Sequence, residues 1–482
     1  MSISNNIKSF DSNDQYSINY NCEIEMAEIQ SDENDSNENI IFQRDTPSVD
    51  NVQLLNNRAY CGIIGNSEFS CILNVVVSSI GGGCFGFPYI VYEGGIIIFL
   101  ILFVFVSICV YYSLDLLRSF VVDTKYFSFA SMTEAILGVK WLRTYAICSF
   151  TIYTSMVVSY LSTIFIYLKG MHNLENVISI ILYFLISMII EIIICLYVTK
   201  IANMYLLSMI SIICFIVVLF SLIVVSIVAN CTGEVSNKFV SHNLFFPDLY
   251  PDNFLNKLFK MSCYIMIYVY GYSYHSTFPT LIGSLKNVNN SNTKKVHIIS
   301  FGIISIAYFL FSIFGFLLSN IVPNEIFQEN DDLFKGGWAT LRKPFKYILI
   351  IFLLLLIPIR FIVLRDNYIT LIGKKKLTVS KELGIVTLFI IICNFLVFCV
   401  AEFDKYFSNL QFKTLVQTFG GMFGVIISFC LPVVNYVSVN GKRKIKSIIG
   451  YIILSIFVLI GIFSTGHTFY HIFVGSKKKK NE

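Results

Sequence analysis

From residue 69 onward, long apolar runs alternate with short polar segments. Eleven such runs are readable, at roughly 69–92, 95–118, 144–169, 175–198, 203–229, 258–284, 297–322, 344–364, 382–401, 413–438 and 446–474. A helix rises 1.5 Å per residue, so about 20 residues cross a hydrocarbon core of about 30 Å. Each run therefore predicts a transmembrane helix, and the chain reads as an all-α polytopic membrane protein with about 11 spans. The composition agrees. The 482 residues are 56% hydrophobic and 13% charged, with a mean hydropathy of +0.72. A soluble domain is nearer to about 25% charged.

Two of the runs interrupt themselves. Residues 78–89 read SSIGGGCFGFPY, with glycines at 81, 82, 83 and 86 and a proline at 88, between strongly apolar flanks. Glycine and proline cost a helix interior about 1 and 3 kcal/mol relative to alanine. In a bilayer, backbone freed by such a break needs a partner in protein or in a water-filled cavity. A broken helix supplies a use for it. Its exposed N–H and C=O groups bind polar substrates near the midplane, and the half-helix after the break starts with free N–H groups suited to a carboxylate. An inverted repeat of five plus five spans places the partner break in span 6. Span 6 meets that requirement: Gly271 lies between tyrosines and is followed by Ser273, His275, Ser276, Thr277 and Pro279.

The remaining segments set the organisation. Residues 1–60 are rich in Asn, Ser, Asp and Glu without apolar periodicity, which predicts a disordered acidic tail in the cytosol. Residues 61–475 form the eleven-helix domain, and 476–482 a short basic tail. With the N-terminus in the cytosol, the inner loops are richer in Lys and Arg, including Lys374-Lys375-Lys376 and Lys442-Arg443-Lys444. The sequon Asn230-Cys231-Thr232 then opens the longest outer loop. The lysines at 477–480 count against this orientation, and the KKKKNE ending resembles an endoplasmic-reticulum retrieval signal. Most of the 13 cysteines lie inside spans and show no C-x-x-C spacing, so neither a structural disulfide nor a zinc site is expected. Nothing points to a cofactor or to nucleic acid, and the oligomeric state is open.

Five stretches, over roughly 70–440, resemble the amino acid/auxin permease family of the amino acid–polyamine–organocation superfamily. GGGCFGFPYIVYEGG at 81–95 resembles the family's glycine-rich first helix, and YFSFASMTEAILG at 126–138 its short amphipathic segment. YVYGYSYHSTFPTLIGSLKN at 268–287 resembles its sixth helix. IPIRFIVLRDNYITLI at 357–372 and GGMFGVIISFCLPVVNYV at 420–437 resemble its eighth and tenth. The resemblance implies a leucine-transporter-like fold and amino acid transport by alternating access. It places the substrate carboxylate at the backbone of Gly81, Gly82, Gly83 and Cys84. The ammonium falls at carbonyls of Tyr270, Gly271 and Tyr272, with tyrosines and Ser273 around the side chain.

The same resemblance bears on the coupling ion. Sodium-coupled members share an asparagine where this chain has Val77, and 345–364 contains no Ser or Thr to supply a hydroxyl from span 8. Sodium coupling is therefore not expected, although Ser78 or Ser79 offer substitute oxygens. For proton coupling the candidates are His275, because a free imidazole can change charge between about pH 5 and 8, and Glu191, an intramembrane carboxylate. Arg360 and Arg365 read as snorkelling anchors at the cytosolic end of span 8. A neutral or aromatic substrate is preferred, because neither break contains an acid to hold a cationic side chain. Two other readings stand beside transport: a membrane sensor that binds amino acids without flux, and a membrane enzyme. The enzyme lacks support, since His467 and His471 share one face of span 11 with no third ligand evident.

Overall fold

The computed structural model describes residues 66–473 other than 82–83, 85, 173–176, 198–203, 232–253, 319–338, 373–378, 404–419 and 442–443. The N-terminal tail, the C-terminal lysines, and Gly82 and Gly83 thus lie outside the described residues.

The first span is split into α1 (Glu68–Ser79) and α2 (Phe87–Gly94). It is followed by α3 (Ile96–Thr124), a short α4 (Phe129–Leu137), α5 (Val139–His172), α6 (Val177–Tyr197) and α7 (Met204–Cys231). The sixth span is split likewise into α8 (Phe254–Gly271) and α9 (Phe278–Gly283). Then come α10 (Asn290–Leu318), α11 (Ala339–Ile372) and α12 (Val379–Phe403). The tenth span runs through π-helical turns at Gly420–Gly424 and Ile426–Cys430 into α13 (Leu431–Asn440), and α14 (Ile445–Phe473) closes the chain. Among the described residues, eight helices are long and apolar enough to cross a membrane. The two split spans and α6 complete the eleven. The fold is the all-α leucine-transporter-like bundle, with its first and sixth helices broken.

Local chemistry explains where the pieces begin and end. Ser67 caps α1, its hydroxyl accepting from the Ser70 N–H at 3.2 Å. Pro88, Pro279 and Pro432 stand in the first turns of α2, α9 and α13, where a missing N–H costs nothing. Gly95 and Gly138 end α2 and α4 with φ of 79° and 85°, a region that favours glycine. These are the last glycines of two stretches that carry the family resemblance.

The core is built by α5 and α11 packed along each other, with α10 against both halves of the first span. Outward faces of α3, α7 and α14 expose Ile101, Val104, Ile108, Ile213, Phe220, Ile452 and Ile462. Apolar side chains in those places suit lipid, and nowhere else would so much exposed apolar surface be stable.

The eighth span departs from the sequence expectation. The hydrophobic pattern ends the span at 364 and puts Arg360 at its cytosolic end, but α11 runs on to Ile372. Arg360 therefore sits well inside the helix and is 1% exposed. It cannot snorkel. Arg365, one turn on, is partly exposed and pairs with Asp366 at 2.9 Å and Glu382 at 3.4 Å.

Candidate functional site

The two breaks lie side by side, and a single hydroxyl on α10 joins them. Tyr308 Oη stands 2.7 Å from the Ser79 carbonyl and 2.9 Å from the Gly271 carbonyl, the last residues of α1 and α8. It also lies 3.2 Å from Ser79 Oγ. These two carbonyls belong to helix C-termini, which have no intrahelical partner. The hydroxyl has one proton, so it donates to one of them at a time. A Cβ built on Gly271 would collide with the ring of Phe87. That ring packs at 4.9 Å on Tyr268 and 5.0 Å on Tyr308, so the absence of a side chain at Gly271 lets the two spans meet.

Of the site residues expected from sequence, Cys84, Tyr270, Tyr272 and Ser273 have the following engagements, while Gly82 and Gly83 lie outside the described residues. Cys84 is fully buried, and its backbone N–H donates to the Gly81 carbonyl at 3.1 Å. The Tyr270 carbonyl accepts from the Ser273 N–H at 3.1 Å, and the Tyr272 carbonyl from the Tyr274 N–H at 2.9 Å. Each carbonyl keeps a second lone pair. The Tyr270 hydroxyl reaches Ser155 at 3.1 Å and the Tyr272 hydroxyl reaches Ser107 at 3.1 Å, so both side chains point sideways into neighbouring spans. Ser273 Oγ, in the break, donates back to α8 at the Val269 carbonyl, at 2.7 Å. The π-turn of the tenth span brings Gly424 against the same helix, where an added Cβ would stand 3.3 Å from Val269.

On the far side of the first break stands a cluster that sequence reasoning missed. A Cβ on Gly81 would fall onto Tyr160 Oη and lie 3.2 Å from Arg360 Nη2. The Arg360 guanidinium carbon is 5.6 Å from the centre of the Tyr153 ring. Tyr153 Oη in turn is 2.7 Å from Ser276 Oγ in the sixth-span break. Two tyrosines of α5 and one arginine of α11 thus form a second connection between the breaks. An arginine within an apolar run is by itself a functional signal. The assumed helix end hid it.

The other titratable candidates fall in different places. His275 is fully buried within the sixth break, near Tyr274 and Phe429, and neither ring nitrogen has a hydrogen-bond partner among the described residues. Glu191 lies in the contact between α6 and α12. Ser187 Oγ donates to one of its oxygens at 2.6 Å and Asn394 Nδ2 to the other at 2.9 Å. His467 packs on Phe259 and lies 3.7 Å from Cys263 Sγ. The side chain of His471 lies outside the described residues. Among the described residues, no group of His, Cys, Asp or Glu could hold a metal ion.

Broken helices meeting around buried polar groups, inside an eleven-span bundle, define a multi-pass membrane transporter rather than an enzyme. Comparisons with known proteins agree. The family model "Transmembrane amino acid transporter protein" matches residues 65–473, and the chain belongs to that family. Among solved structures, a manganese transporter from Eremococcus coleocola, in complex with an aromatic bis-isothiourea compound, is 13% identical. The match covers 88% of each chain with a TM-score of 0.55. A Na+-coupled sialic acid symporter in a substrate-bound outward-open state is 12% identical, covering 88% of this chain and 98% of its own, with a TM-score of 0.52. Likeness at this identity shows the fold alone. No curated protein matches the sequence.

Proposed function

We propose that this protein is a secondary transporter that moves neutral or aromatic amino acids by alternating access, without sodium coupling. The observation that carries this reading is the pair of breaks joined through Tyr308. Backbone groups at such breaks suit the carboxylate and ammonium that all amino acids share. The carboxylate lies toward Gly81–Cys84 and the ammonium toward the carbonyls of Tyr270–Tyr272. The side chains nearest the breaks are Tyr153, Tyr160, Tyr308 and Phe87, which suit an apolar or aromatic group and offer no carboxylate to a cationic one.

The case against sodium has two parts. Val77 is buried and apolar where sodium-coupled members carry an asparagine. Arg360 adds a fixed positive charge beside Gly81, and a second cation there would be repelled. A proton-coupled variant of the same function is favoured by one observation, the unpartnered ring of His275 in the sixth break.

Uptake by purified protein in liposomes tests these points together. Saturable uptake of labelled leucine or phenylalanine is expected, unchanged when choline replaces sodium. If an inward proton gradient drives accumulation, His275→Asn is expected to abolish that drive while leaving exchange. Uptake that collapses without sodium would refute the coupling assignment. Binding without flux under any gradient would favour a sensor.

Alternating access also requires an end of the site that opens and shuts. The Asn66 N–H donates to the Ser284 carbonyl at 2.9 Å and the Lys286 N–H to the Asn66 carbonyl at 3.0 Å, a β-bridge that ties the start of the first span to the segment after α9. Lys295 and Glu68 pair nearby at 2.7 Å, and Cys71 is buried against the Leu281 carbonyl at 3.1 Å. Asn66→Pro removes one of these donors and the side-chain bond to Ser284 Oγ. Losing two bonds worth about 1 kcal/mol each is expected to raise maleimide labelling of Cys71 by roughly tenfold or more. Labelling at the wild-type rate would mean that the bridge does not hold this end closed.

A further inference from the structure

We infer that Arg360 receives a carboxylate of the transported amino acid, so that a fixed guanidinium as well as backbone N–H groups selects for an acid. This inference rests on the amino acid transport proposed above and assigns a specificity-determining residue to it.

Arg360 is 1% exposed, and its Nε and Nη1 have no hydrogen-bond partner among the described residues. The described ion pairs join Arg118, Lys295, Arg365 and Lys446 to acids; Arg360 takes part in none. A guanidinium does not lose its proton in proteins, so this is a permanent charge held out of water. A hydrogen bond with Tyr160 and a cation–π contact with Tyr153 engage part of the guanidinium, but no acid balances its charge and two of its three nitrogens stay without an acceptor.

Location turns this deficit into an assignment. Arg360 Nη2 lies where a Gly81 side chain would begin, at the edge of the first break. Through Tyr153 and Ser276 the same cluster reaches the sixth break. A carboxylate is the planar anion that a guanidinium fits best, and it is the anion that every amino acid brings. Its source is either the α-carboxylate of any substrate or the side-chain carboxylate of an acidic one. Substrate arrival completes the arginine's hydrogen bonds, and its departure leaves them open.

The test is binding to the purified full-length protein by calorimetry and by thermal shift. The probes are leucine, phenylalanine and glutamate, set against leucinamide, phenylalaninamide and glutamine. The variants are Arg360→Met and Arg360→Lys. Wild type is expected to prefer leucine and phenylalanine over their amides if Arg360 takes the α-carboxylate, and glutamate over glutamine if it takes the side-chain carboxylate. Arg360→Met is expected to lose about 10- to 100-fold in affinity for the acids and to lose that preference. With no ligand it should melt no lower than wild type, because a buried unpaired charge has gone. Arg360→Lys should keep part of the preference. Loss for all three acids assigns the α-carboxylate; loss for glutamate alone, with leucine and phenylalanine unaffected, assigns the side-chain carboxylate. An Arg360→Met protein that binds acids and amides as wild type does would overturn the inference while leaving amino acid transport intact. So would one that melts well below wild type yet keeps the acid preference, since the arginine would then be structural. Wild type that binds no amino acid would defeat the transport reading itself, and this inference with it.

Discussion

Gly81→Ala is expected to lower amino acid uptake about 10- to 100-fold, and Tyr160→Phe in the same protein to recover a large part of the loss. The added methyl group would fall onto the Tyr160 hydroxyl and stand 3.2 Å from both Tyr160 Cζ and Arg360 Nη2. Tyr160 is 1% exposed, so its ring has no room to swing away. Overpacking of this kind costs about 1–3 kcal/mol, drawn from the arrangement of the first break against Tyr160 and Arg360. Removing the hydroxyl takes away the hardest collision and leaves contacts that are tight yet tolerable. Uptake measured in a double-mutant cycle separates this cause from any other. If the two losses simply add, Gly81 matters for its backbone freedom and the collision with Tyr160 is irrelevant.

Tyr308→Phe is expected to lower the melting temperature of the purified protein and to reduce uptake several-fold. The ring contacts to Phe87 and Tyr272, both at 5.0 Å, survive the substitution, so the change isolates the hydroxyl. That hydroxyl serves two buried carbonyls at the ends of α1 and α8. Leaving a buried acceptor unpaired costs about 1–3 kcal/mol, although hydrogen bonds measured inside membranes average nearer 0.6. The effect on transport should exceed the effect on melting, because the same bond registers the two breaks against each other. A variant as stable and as active as wild type would show that helix packing alone holds the breaks together.

These two expectations differ in how visible their residues are in the sequence. Gly81 announces itself, one of four glycines in a run that should otherwise be an uninterrupted helix. Tyr308 does not. It is one aromatic among many in ISIAYFLFSIF, and nothing in that run marks the one whose hydroxyl faces two helix ends. Arg360 was visible as a charge in an apolar run but was placed at a helix end, because the hydrophobic stretch was taken to stop at residue 364. Polar residues beyond it, including Asn367, are accommodated inside the bundle: Asn367 Nδ2 donates to Ser149 Oγ at 2.7 Å. Glu191 shows the converse. Its charge stands out in the sequence, while its partners, Ser187 and Asn394, come together only through the packing of α6 against α12.

By itself the sequence determined the solvent, the number of spans and the positions of the two breaks. Lipid requires a run of about 20 apolar residues for each crossing, and only glycine- and proline-rich interruptions break such a run. Those are local requirements, legible residue by residue. Tertiary structure decided which side chains meet at the breaks. The cluster of Gly81, Tyr153, Tyr160, Ser276 and Arg360 draws on the first, third, sixth and eighth spans, and its members are brought together by the packing of α5 along α11. In a bundle whose helices are apolar nearly all round, hydropathy does not specify which face turns inward. Shape and the few polar contacts do, and these exist only once the helices have packed.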